Sequence, residues 1–488
     1  MKTVLSRREI MAGSAAMGAV LALSTFGRRR GRATAATLAD RKYLFVVTAF
    51  GGASLIDSFL AIPASISANA STLTTYADSL VETVGNFRCV KMLEEEARMS
   101  PQRPPVRYAQ KTFLQRHGDD VAAVTLENSS VSHPTAQTRA MNGGGSIDRG
   151  RTILETVAET HGAGLPLPIV NMASRGFAIA GSDPGLAASL RQVAVVEPRK
   201  FALGTHASHG VVRAIDDGLV ERARMARDRA AVASTFSAQH GTTLTLRRWS
   251  ELKERARVVE TADLVSKLLM ADVPGVPRSP DLETIKNFLP SIDYDVLQAE
   301  TALAFLLAKN GVSSSIAFGS LSMATRELVD GVVTPSVYPN EGFDFSHTSH
   351  RVAQSSCWGR YLQVTDGLIS MLKATEDPQR PGTSMWSHSL VFITTDFGRG
   401  KQRPRDSLSF GTGHDLNNGC IIVSPLVKGG RVYGGVDADT GLTYGFDRTT
   451  GEPKPGTLMT ESDIFSAVAH AMGAPFPGRI DMPALIRT

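Results

Sequence analysis

Five stretches of this 488-residue chain carry an acid, a hydroxyl or an imidazole that an α/β scaffold could deliver to one edge of its sheet. "FGGASLIDSF" offers Asp57, "ENSSVSHPTAQTRAMNGGG" offers Ser132 and His133, and "EGFDFSHTSH" offers Asp344, His347 and His350. "SLVFITTDFGRG" brings Asp396 and Arg399, and "GTGHD" brings His414. Carboxylate and imidazole gathered at strand ends suit metal binding and hydrolysis. The same letters also serve local structure: Asp57 and Ser132 as helix caps or turn residues, and His414 as a loop residue bonded to Asp415. His350, one turn past His347, reads as a supporting or surface residue, and Arg399 either as an anion binder or as half of a structural ion pair.

The elements that must position these residues are legible in the apolar runs. "YLFVVTAFGG", "VAAVTLENSS", "LPLPIVNMAS", "SSSIAFGS", "SLVFITTDFG" and "CIIVSPLVKGG" are short, rich in β-branched residues and closed by polar residues or glycine. Such runs predict buried strands of a parallel or mixed sheet. Helical spacing from Val352 to Ala374, and through "LKERARVVETADLVSKLLM" from Leu252 to Leu268, predicts helices between them. The class expected is α/β, a central mostly parallel sheet with helices on both faces, whose ligand crevice lies beyond the carboxyl ends of the strands. Residues from 205 to about 310 read as a helical insertion, residues 443 to 460 as a surface excursion, and Ser462 to Met472 as a final helix.

The amino terminus is set aside before fold reasoning. Arg7 and Arg8 in "SRREIM", a mildly apolar stretch from Met11 to Phe26, and small residues Ala33 and Ala35 in "RATA" resemble a twin-arginine export signal over residues 1–35. Cleavage near Ala35 predicts a periplasmic or secreted protein, residues 36–488, with the twin-arginine translocase as its partner during export. Residues 1–35 carry +6 of a chain total of +5, so the remainder is about −1 and the sequence pI of 9.1 argues for no nucleic-acid partner. No run of 18 apolar residues predicts a permanent membrane span. Three cysteines without close spacing allow at most one disulfide and exclude a zinc framework of thiolates.

The order "LFVVTAFGGASLIDSF", "SHPTAQTRAMNGG", "GFDFSH", "SLVFITTDFGRG", "GHD", "IIVSPLVKGGRVYGGVD" resembles a twin-arginine-exported bacterial family of unknown function within the alkaline phosphatase and sulfatase superfamily. That resemblance, over about residues 40 to 475, implies an alkaline phosphatase-like fold and a metal-dependent hydrolase of phosphate or sulfate esters. It implies Asp57, Asp344, His347, Asp396 and His414 as metal ligands, Ser132, His133 and Arg399 as catalytic residues, and a small anionic ester as substrate. An imidazole and carboxylate set suits zinc above calcium or manganese. The chain departs from the pattern at Phe397, where phosphatases of the superfamily carry a histidine, and His133 stands at or beside the nucleophile position. No Cys/Ser-x-Pro-x-Arg motif stands where a sulfatase needs it. These departures support an alternative, a non-catalytic binding or assembly protein retaining the fold and a partial metal site.

Overall fold

The computed structural model describes residues 40–91, 108–145, 147–205, 216–319, 326–329, 331–335 and 341–487. The expected export signal lies outside the described residues. The main sheet is built from β1 (Tyr43–Ala49), β2 (Val121–Glu127), β3 (Ile169–Asn171), β4 (Val193–Ala194), β5 (Ser315–Phe318), β6 (Ser389–Thr395), β7 (Asn417–Val423) and β8 (Arg431–Tyr433). Its eight strands run in the order β8-β2-β7-β6-β1-β5-β3-β4. Only β7 is antiparallel to its neighbours, β6 and β2. All six predicted runs form strands, and the edge strands β4 and β8 are too short to leave a periodic signal.

Alternation along β1 explains the layers. Tyr43, Phe45, Val47 and Ala49 enter one core, with α5 (Val296–Lys309) and α6 (His350–Ala374). Leu44 and Val46 enter the other, with α1 (His133–Asn142), α2 (Ile153–His161) and α7 (Glu461–Ala471). Successive strand side chains point to opposite faces, so a continuous apolar run is what a strand covered on both sides requires. Helix α5, at the end of the stretch expected as an insertion, is buried along nearly its whole length and leads into β5.

The helix expected from Leu252 to Leu268 is interrupted. An α-helix, α4 (Leu244–Thr261), gives way at Asp263, whose φ of 50° lies in the left-handed region, and a separate turn runs Leu264–Leu268. Asp263 tolerates that conformation because its carboxylate takes a local bond, from the Ser266 hydroxyl at 2.6 Å. Leu252 is 49% exposed, Val259 and Ala262 are partly buried against the core, and Leu264 and Leu268 are buried, so the stripe inferred from spacing reaches the core only toward its carboxyl end. Before α4 lies α3 (Asp217–Val232), which is likewise largely exposed. Among the described residues no helix is long and apolar enough to cross a membrane.

Candidate metal centre

The strand ends deliver their polar residues to the carboxyl edge of the sheet. β1 closes on Gly51 and Gly52, with φ of 96° and 84°. A Cβ at Gly51 would lie 2.2 Å from the Asp344 backbone nitrogen, and one at Gly52 would lie 2.7 Å from Arg399 Nε, so only glycine fits here. The turn aims both amides at the carboxylate that ends β6: Gly52 N–H donates to Asp396 Oδ1 at 2.8 Å and Gly51 N–H at 3.1 Å. The Thr395 hydroxyl adds a contact to Oδ1 at 3.1 Å, and Gln137 Nε2 donates to Oδ2 at 3.2 Å. Asp396 is fully buried, and every one of these partners compensates its lost hydration.

The remaining demand of Asp396 falls on His133. Nδ1 of His133 lies 2.7 Å from Asp396 Oδ2. His133 is the first residue of α1, with Ser132 at the cap position and Pro134 following, a sequence that starts a helix without an N–H to satisfy. Its ring is stacked on Phe50, with centroids 4.9 Å apart, and tilted against Phe397 at 4.7 Å. With Nδ1–H donating to a carboxylate, Nε2 points the other way, toward Asp344 Oδ1 at 3.4 Å. Burial pulls the His133 pKa down, but the hydrogen bonds and charges of Asp344 and Asp396 outweigh it and push it up to about 9.

His414 reaches the same point by the same device. A two-residue ribbon pairs Gly398–Arg399 with His414–Asp415 just before β7, placing His414 opposite Arg399. Nδ1 of His414 donates to the Val131 carbonyl at 2.8 Å, which leaves Nε2 as the bare nitrogen, 3.5 Å from Asp344 Oδ1. Phe397 stacks on the His414 ring at 3.9 Å. Burial and the nearby Arg399 charge lower the His414 pKa, which keeps the ring neutral. His133, Asp344 and His414 thus bring one ligand atom each to within 4.8 Å of one another.

Asp344 sits on a 3-10 turn, Gly342–His347, whose far end carries His347. The Arg399 guanidinium donates to Asp344 Oδ1 at 2.6 Å and also bonds the Gly51 carbonyl. Burial works to raise the Asp344 pKa, but the bonds from His133 and Arg399 dominate and hold it well below the usual carboxylate range. His347 Nε2 lies 2.8 Å from His414 Nε2 and 3.3 Å from Asp344 Oδ1, and it is the most exposed ring of the group. Burial and Arg399 lower its pKa as well.

The group takes in Asp344 and His414 of the expected ligands and adds His133, which the family resemblance put at or beside the nucleophile position. Asp396 stands behind His133 and holds its ring. Asp57 makes other contacts: buried, it accepts from Tyr76 Oη at 2.5 Å and meets His350 Nε2 at 3.1 Å. The opposite nitrogen of His350, Nδ1, lies 2.8 Å from the Thr412 hydroxyl, so His350 is an interior partner of Asp57. Burial raises the Asp57 pKa, but the His350 charge and hydrogen bond outweigh it and lower it. Ser132 is exposed at the helix cap and its side chain makes no capping bond. Arg399 is fully buried in its bonds to Asp344, Gly51 and Thr412, an ion-pair arrangement. Gln137 and the Val131 carbonyl went unread; the spacing of Gln137 four residues after His133, on one helix face, was the available signal.

No family model matches the chain, and no curated protein matches it. Solved structures similar to it include alkaline phosphatase from the Antarctic bacterium TAB5, at 10% identity and a TM-score of 0.34, covering 89% of this chain and 99% of that one. A TAB5 alkaline phosphatase variant with Mg bound in its M3 site is similar at 10% identity and a TM-score of 0.32, with coverage of 89% and 99%. Ps i-CgsB in complex with k-i-k-neocarrahexaose is similar at 8% identity and a TM-score of 0.31, covering 91% of this chain and 75% of that one.

Proposed function

We propose that this chain is an exported hydrolase of small phosphate or sulfate esters that works with one divalent cation, zinc in the first instance, held by His133, Asp344 and His414. One observation carries the reading: both histidines have Nδ1 committed to an acceptor, Asp396 Oδ2 at 2.7 Å and the Val131 carbonyl at 2.8 Å, so both turn Nε2 toward a single carboxylate oxygen. A ligand histidine with its second nitrogen fixed by a carboxylate or carbonyl is how protein zinc sites set tautomer and direction. Two imidazoles and a carboxylate, with an open side, form the three-ligand set of zinc sites that act on substrates. A cation there would polarise the ester oxygen and offset charge developing in the transition state.

The chain's own residues divide the remaining work. Asp396 holds His133, and Arg399 holds Asp344. His347, exposed and kept neutral, is placed to take up or deliver a proton beside His414. A cleft of about 460 Å³ opens next to His414, lined by Val131, Leu416, Leu442 and Leu458 together with Glu127 and Asp415, and receives the part of the ester that departs. The signal peptide, the translocase partnership and the periplasmic location belong to the same proposal.

The test is hydrolysis of generic phosphate monoesters, diesters and sulfate esters across added zinc, manganese and calcium. Metal-dependent turnover that falls roughly 100-fold or more in Asp344→Asn and His414→Ala supports the reading. The second reading, a binding or assembly protein, draws support from Ser132, the hydroxyl among the expected catalytic residues, which is exposed at the helix cap, outside the three-ligand group. Cation binding without turnover on any of these esters would favour it.

A further inference from the structure

Helices α3 and α4 form an antiparallel pair joined by ion pairs: Glu221 with Arg257 at 2.8 Å and Asp228 with Lys253 at 3.4 Å. The pair is tied to the body at one end, where Arg255 donates to the carbonyls of Ala188 and Arg191 at 3.1 and 2.9 Å. Continuing the pairing away from that tie places Val232 opposite Trp249, with a short helix, Thr235–His240, making the turn. The far end is apolar on its outside. Val232 is 81% exposed, Phe236 61%, Leu244 60% and Trp249 58%.

Charge at this tip is mainly positive. From Asp228 to Glu251 the sequence holds Arg229, Arg247, Arg248 and His240 against two acids, Asp228, which is paired with Arg227 and Lys253, and Glu251. Exposed large apolar side chains close in sequence to arginines, on helices, are the make-up of a surface that enters the headgroup layer of a membrane, side chains inward and guanidinium groups among phosphates. A second copy of the chain is a weaker occupant, because a two-fold contact would bring two net-positive tips together. We propose that the α3–α4 tip docks on an anionic lipid surface, with Phe236, Leu244 and Trp249 entering the interface and Arg229, Arg247 and Arg248 engaging lipid phosphates. This docking is independent of the metal centre.

The chain supplies its own reporter. Of its three tryptophans, Trp358 and Trp386 are 3% and 5% exposed, so a change of emission on adding lipid reads Trp249. The purified chain is mixed with vesicles of phosphatidylcholine alone or with phosphatidylglycerol and followed by flotation and tryptophan emission. Expected are co-flotation and a blue shift with phosphatidylglycerol only, both diminished by salt. An Arg229→Gln, Arg247→Gln, Arg248→Gln triple variant should bind roughly 100-fold more weakly, about fivefold per arginine. A Phe236→Ser, Leu244→Ser variant, altered only at exposed positions and checked for native circular dichroism, should lose the blue shift. Failure to float with phosphatidylglycerol at low salt, equal binding to both vesicle types, or undiminished binding by either variant overturns the proposal. So does self-association or RNA capture through this tip without vesicle binding.

Discussion

Replacing Asp396 with Asn keeps the shape of the side chain and removes the reason His133 faces the way it does. The Asn oxygen can still accept from the Gly51 and Gly52 amides, which leaves the amide NH2 pointing at His133 Nδ1. Below about pH 9 the metal-free ring holds both protons, and zinc must displace the one on Nε2, beside Asp344; a donor facing Nδ1 instead favours keeping the proton on Nε2. The bond lost is charge-assisted and 2.7 Å long, of a kind that contributes about 1.5–3 kcal/mol. That converts to roughly 10- to 100-fold in metal affinity, the range found when a carboxylate supporting a ligand histidine is removed. The assay is zinc titration against a chelator of known affinity, with nitrogen-15 spectra of the His133 ring to read the tautomer. An Asp396→Asn protein that is folded, carries its proton on Nδ1 and binds zinc as tightly as wild type would refute the reasoning.

Other outcomes follow from single features. His161 is buried, with Nε2 bonded to the Met472 carbonyl at 2.7 Å and Nδ1 accepting from the Lys42 amide, and burial pulls its pKa down to about 4. The folded ring stays neutral where the unfolded one takes a proton, so its stabilisation is complete above about pH 6.5 and is lost as pH falls toward 4. That loss is about 3 kcal/mol, and urea unfolding at pH 7 and 4.5 should show a steeper decline in wild type than in His161→Gln. Gly51→Ala should destabilise by at least about 2 kcal/mol and weaken zinc binding together, since its Cβ meets the Asp344 backbone; an unchanged melting curve would contradict it. His347→Ala should keep the zinc stoichiometry while turnover drops roughly 100-fold, the scale of a lost proton-transfer group.

The sheet was legible because its strands are continuous apolar runs, and the site's edge followed from where those runs stop. The family resemblance, not spacing, named Asp57, Asp344, His347, Asp396 and His414 as ligands. What spacing could not convey was the division of labour among them. Asp396 lies behind a histidine rather than in front of it because the Gly51–Gly52 turn and Gln137 occupy its oxygens, contacts that join positions hundreds of residues apart. His350 reads from sequence as a supporting or surface residue, and its bonds to Asp57 and Thr412 make it the former. The helix through Leu252 was legible as a helix, but periodicity records a stripe and not where it meets the core, and the break at Asp263 leaves no mark in the spacing.

If His133, Asp344 and His414 hold one cation, metal content after dialysis against zinc and removal of excess should be one zinc per chain in wild type, the same in His347→Ala, and none retained in His133→Ala or His414→Ala. A zinc-free wild-type protein, or full zinc occupancy in both ligand variants, would contradict this assignment.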